Sequence, residues 1–102
     1  MRTQQQKLFI YRFYIGSNNI TKKREIQKTL NLLDKNKVMG YTLLKSVGFW
    51  NTDKENSFII EIIKSNDNPI NDNKVLFLKK ELEQELKQYL VLTTKQKLNI
   101  LN

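Results

Sequence analysis

The chain has 102 residues, 39% of them apolar, with a formal net charge of +8 and neither Cys nor His. Those two absences exclude a disulfide framework, a thiolate nucleophile, a thiolate zinc site and a histidine base or ligand. No apolar run reaches the roughly 18 residues that span a bilayer, and residues 1–7 lack the apolar stretch of a signal peptide.

The elements follow in chain order. Leu8-Phe9-Ile10-Tyr11-Arg12-Phe13-Tyr14-Ile15 is β-branched and aromatic and predicts a strand closed by Gly16. Period-two alternation puts Phe9, Tyr11, Phe13 and Ile15 on one face and Leu8, Ile10, Arg12 and Tyr14 on the other. Gly16-Ser17-Asn18-Asn19 has turn composition. Thr21 can cap a helix running to about Asn36, with Ile26, Leu30 and Leu33 as its apolar stripe.

Met39-Gly40 ends that helix, and 41–50 predict a second strand with Tyr41, Leu43, Val47 and Phe49 on one face and Lys45 among them. Asn51 to Asn56 reads as a polar connector, and Ser57 to Lys64 as a third strand, apolar on both faces except at Glu61. Residues 65–73, with the only Pro, are the long loop. A second helix is expected to about Tyr89, aligning Val75, Leu78, Leu82, Leu86 and Tyr89. Leu90 to Thr94 predicts the fourth strand, with Lys95 to Asn102 extending it or fraying.

The order β-α-β-β-α-β, with right-handed crossovers, predicts an α+β fold of the ferredoxin-like kind: a four-stranded antiparallel sheet with two helices on one face. The whole of 1–102 is expected to be one domain, with 1–7 flexible. The first and third strands, apolar on both faces, belong in the centre. Their open face would then leave an apolar patch, and a homo-oligomer, sheet against sheet, is the expected cover.

Charge is distributed unevenly. Residues 1–50 hold ten Lys and Arg against two acids, whereas 51–102 hold eight of each. A concentrated positive field attracts anions. Lys22, Lys23 and Arg24 open the first helix, where natural helices favour acids, and would offer an anion seat beside free backbone N–H groups. Arg12 lies mid-strand on the open face, either as a phosphate partner or as the partner of Glu61 across the sheet. Trp50, Tyr41 and Lys45 could stack a base and meet its phosphate. No nucleotide-binding glycine loop is present, and the acids do not align into a catalytic pair, so no catalytic residue, metal or cofactor is expected.

Tyr14-Ile15-Gly16, Gly40-Tyr41-Thr42, Gly48-Phe49-Trp50, Ile60-Glu61-Ile62 and Gln88-Tyr89-Leu90-Val91-Leu92 together resemble a group of small α+β proteins from phages and their bacterial hosts. The resemblance implies a mobile-element origin and action in the host cytoplasm against host defence. With the charge pattern, it leads to the expectation of a non-enzymatic binding protein that captures a phosphate-bearing ligand, a nucleotide signal or a short nucleic acid. The ligand would meet Arg12, Lys22, Lys23, Arg24, Tyr41, Lys45 and Trp50. The alternatives are an inhibitor that grips a host defence protein and a general RNA- or DNA-binding module.

Overall fold

The computed structural model describes residues 8–17, 22–50 and 52–101, Trp50 by its backbone alone. The elements are β1 (Leu8–Ser17), α1 (Lys22–Lys35), β2 (Thr42–Trp50), β3 (Asp53–Lys64), α2 (Asp72–Glu85) and β4 (Leu92–Leu98). The expected cap Thr21 and the expected flexible segment 1–7 lie outside the described residues.

The sheet order is β2-β3-β1-β4, antiparallel throughout, the ferredoxin-like arrangement expected from the element order. β1 and β3 are central. Tyr11, Phe13 and Ile15 of β1 and Phe58, Ile60 and Ile62 of β3 are buried in one cluster with Leu32 and Leu33 of α1 and Val75, Leu78 and Leu82 of α2. Both helices therefore cover the same face. The thin dimension of 19 Å is that of one sheet under one helix layer. Each such fully buried apolar side chain stabilises the fold by about 1.5–3 kcal/mol.

The buried stripe of α1 is Thr29, Leu32 and Leu33, with Ile26 packed beside it. It is turned slightly from the expected Ile26, Leu30 and Leu33, and Thr29 is tolerated because its hydroxyl donates to the Glu25 carbonyl at 2.8 Å. Asn71 caps α2, its side chain accepting from the Lys74 N–H at 2.8 Å.

Both helices end in the same way. Lys37 (φ 57°) and Lys87 (φ 54°) are left-handed. The Val38 N–H bonds the Leu33 carbonyl and the Lys37 N–H that of Asp34, while Gln88 and Lys87 do the same with Glu83 and Gln84. This is the Schellman stop, with Lys where Gly is usual. It ends α2 earlier than its apolar spacing suggested, so Tyr89 leaves the helix and stands fully exposed.

The expected connector 51–56 is mostly strand. β2 and β3 pair continuously to Trp50↔Asp53, turning through Thr52 at φ 69°. The hairpin runs past the end of the helices, which is why its residues are polar and why Val47 and Phe49, on the core side of β2, are exposed. A ladder of backbone hydrogen bonds continues where the core does not. Among the described residues, no helix is long and apolar enough to cross a membrane.

Candidate functional site

At the end of the sheet where β1 finishes and the hairpin projects, an open groove of about 1230 Å³ is formed by four separate stretches of chain. β1 supplies Gly16 and Ser17, the first turns of α1 Arg24, Glu25 and Lys28, and the hairpin Lys54, Glu55 and Asn56. The end of α2 supplies Glu85 to Gln88, and the segment leading into β4 adds Tyr89 and Leu90. The cations Arg24, Lys28, Lys54 and Lys87 and the carboxylates Glu25, Glu55 and Glu85 line it, beside the fully exposed Tyr89.

The register explains this assembly. β1 pairs with β3 as Gly16↔Ser57 and Ser17↔Asn56, so the projecting part of β3 begins where β1 stops. Glu55 lies next along β3 and reaches back across the bare backbone of Gly16. A Cβ at Gly16 would stand only 2.9 Å from Glu55 Oε1. From the other side, the Gln88 amide Nε2 donates to the Gly16 carbonyl and ties the stop of α2 to the end of β1. The Ser17 hydroxyl is buried in the same wall, without a hydrogen-bond partner among the described residues.

The start of β4 is held by a second tie. The Val91 N–H donates to Glu83 Oε2 at 2.9 Å, and Lys79 Nζ meets the same oxygen at 2.6 Å. Both contacts hold the Glu83 carboxyl below the usual carboxylate range, the lysine having the larger effect. Glu83 thus fixes the segment that presents Tyr89.

The residues expected to bind phosphate do not converge. Arg24 lines the groove, with Lys22 and Lys23 in the same first turn of α1. Arg12 lies on the open face of the sheet. Its register partner is Glu61, which accepts from Nε at 2.7 Å, while Nη1 donates to Gln96 Oε1 at 2.9 Å. Lys45 sits mid-strand on β2 opposite Phe58, exposed. Tyr41 precedes β2 at the far end, packed against the core beside Asp34; burial, and then that carboxylate, raise its phenol pKa. The side chain of Trp50 lies outside the described residues. These candidates are dispersed because a lysine-rich sequence places cations on several surfaces, and among the described residues Arg24 is the one of them that lines this groove.

Sequence reasoning missed Gly16, Glu55, Gln88 and Tyr89 as site residues. Glu55 fell in what read as a connector, Gly16 read as a strand terminator, and Tyr89 was placed on the apolar stripe of α2. The one signal available was that Gly16, Gln88 and Tyr89 belong to segments that carried the phage-protein resemblance.

No family model matches the sequence, and no curated protein does. Solved structures do match. A phage SAM lyase in its apo state has a TM-score of 0.70 at 22% identity, over 95% of this chain and 86% of that one. The phage SAM lyase in complex with S-methyl-5′-thioadenosine gives 0.67 at 21%, with the same coverage. A nitrogen regulatory PII-like protein of Thiomonas intermedia K12, bound to ADP, AMP and bicarbonate, gives 0.54 at 16%, over 94% of each chain.

The likeness to small phage α+β proteins of ferredoxin-like pattern therefore stands. The expectation of a non-enzymatic binder does not. A phage protein sharing this fold across nearly the whole chain is an enzyme, and the readings as a phosphate-ligand trap, a protein inhibitor or a nucleic-acid module are corrected with it. The physical reason is that the absence of His and Cys, and of aligned acids, says little about a site assembled from isolated carboxylates on distant segments.

Proposed function

We propose that the groove binds S-adenosylmethionine and cleaves it as a lyase, releasing S-methyl-5′-thioadenosine. The observation that carries this reading is that Glu55, Arg24 and the exposed ring of Tyr89 share one groove, in a fold also adopted by a phage SAM lyase. The substrate is a sulfonium cation with an amino-acid tail and an adenine ring. Each part has a counterpart here.

Glu55 is the carboxylate that faces the sulfonium. Arg24 and Lys28 suit the substrate's carboxylate, and Glu25 and Glu85 its ammonium group. Tyr89 offers its face to the adenine, a contact of about 1–3 kcal/mol when a base stacks on an aromatic ring. The substrate's own carboxylate oxygen attacks the chain carbon bonded to sulfur and closes a lactone. The electron pair of the broken carbon–sulfur bond stays on sulfur, so the cation becomes a neutral thioether. Glu55 therefore holds substrate more tightly than product, which aids release.

The test is incubation of the purified protein with S-adenosylmethionine, following S-methyl-5′-thioadenosine by liquid chromatography and mass spectrometry. Time-dependent product is expected, with Glu55→Gln at least tenfold slower in kcat/KM. Failure of the native protein to form the thioether would remove the reading.

Self-association is part of the same proposal. Leu8, Tyr14, Ile59, Ile63 and Leu92, with Ile10 buried among them, share the face of the sheet away from the helices, around the Arg12–Glu61 pair. At its centre the charges of Arg12 and Glu61 cancel, so like copies can meet there without bringing unpaired cations together.

A further inference from the structure

We infer that Gly16 is a positioning residue of the groove, its missing side chain being the seat on which the Glu55 carboxylate rests. The inference rests on the lyase reading above and deepens it, because it says what sets the place of the one carboxylate assigned to the sulfonium.

Space is the reason for glycine here. Gly16 lies inside β1, in register with Ser57, and no glycine in the described chain has positive φ, so its backbone is open to any residue. A Cβ at that point would approach Glu55 Oε1 to 2.9 Å, nearer than carbon and oxygen sit in ordinary contact. The carboxylate, as the end of a flexible side chain, would be the part to move. Gly16 itself is fixed on two sides, by the ladder to β3 and by Gln88 on its carbonyl.

The other strand glycine provides the contrast. Gly48, in register with Glu55, would bring a Cβ no closer than 3.8 Å to the Glu55 carbonyl, an ordinary distance. Of the two glycines beside Glu55, only Gly16 controls where the carboxylate lies.

Displacing a charged group by about an ångström from its working place costs up to roughly 100-fold. Gly16→Ala is therefore expected to raise KM for S-adenosylmethionine roughly 10- to 100-fold while leaving kcat within a few-fold. Affinity for S-methyl-5′-thioadenosine, which has no sulfonium charge, should stay within about twofold by calorimetry, because the lost contact is with the charge.

Glu55→Asp in the native chain withdraws the carboxylate from the same seat by one methylene. It should give the same split between the cationic substrate and the neutral product, which keeps the inference testable if Gly16→Ala does not fold. With both changes together the effects should be strongly less than additive, as for two changes acting through one group. Gly48→Ala is the control and should match the native chain.

Native KM in Gly16→Ala, or additive effects in the double variant, would overturn the positioning role while leaving the lyase reading intact. Equal losses for substrate and thioether would also overturn it, since they would indicate general damage to the groove. A native protein without cleavage would overturn the reading beneath it, and the inference with it.

Discussion

Tyr11 shows how a single buried phenol links sheet, helix and edge strand. Its hydroxyl donates to Asp72 Oδ1 at 2.5 Å, and Lys95 Nζ meets the same carboxylate at 3.0 Å while lying 4.5 Å above the Phe9 ring. Burial and then Asp72 push the Tyr11 phenol up to about 12 from its usual 10.0. The folded chain thus holds that proton more tightly than the unfolded chain does. The resulting stability is fully present below pH 10 and is lost as pH rises toward about 12. Denaturant titrations across that range should show the decline, and Tyr11→Phe should remove it.

Asp72 has the opposite sign. Its carboxyl is lowered by Tyr11 first and Lys95 second, so its contribution is present above the usual carboxylate range and fades as acid protonates it. At the centre of the open face, Arg12 and Glu61 are both partly buried. Glu61→Ala removes the carboxylate from Arg12, leaving the guanidinium beside the neutral Gln96 and Tyr14 side chains, and should cost about 1–2 kcal/mol in urea unfolding. That pairing was readable from the sequence, because both residues interrupt apolar strands at positions that a central antiparallel pair brings opposite each other. Glu55 was not readable, because nothing local distinguishes a hairpin residue from a loop residue.

The helix ends carry the main element-scale lesson. Apolar spacing alone extends α2 to Tyr89, yet the chain stops at Glu85 because Lys87 turns left-handed and its neighbours close the Schellman bonds. No glycine marks that stop, so composition could not locate it. A non-glycine residue in this conformation costs about 1 kcal/mol. Lys37→Gly, at the matching stop of α1 and away from the groove, should therefore raise stability by about 0.5 kcal/mol, with thermal melting as the measurement. Asn71→Ala should lower stability by about 1 kcal/mol through loss of the α2 cap.

At the scale of the whole molecule, a two-layer fold leaves one face of its sheet uncovered, and this sheet is apolar on both faces. A particle heavier than one chain is expected by light scattering. Ile63→Lys, on the open face and 46% exposed, should dissociate it without unfolding the subunit. A single chain in solution at micromolar concentration would contradict this. The hairpin adds to the expectation, since its apolar side chains Val47 and Phe49 are exposed among the described residues.

The order of elements, their faces and the central place of β1 and β3 were determined by the sequence by itself. Alternation and helical spacing are local properties, and a chain this apolar in two strands must bury both. The groove was decided only by tertiary structure. Gly16, Arg24, Glu55 and Gln88 are far apart in sequence, and they meet because one register, one unmarked helix stop and one overlong hairpin converge at the same end of the sheet. Each of those depends on non-local packing, which residue types in isolation do not encode.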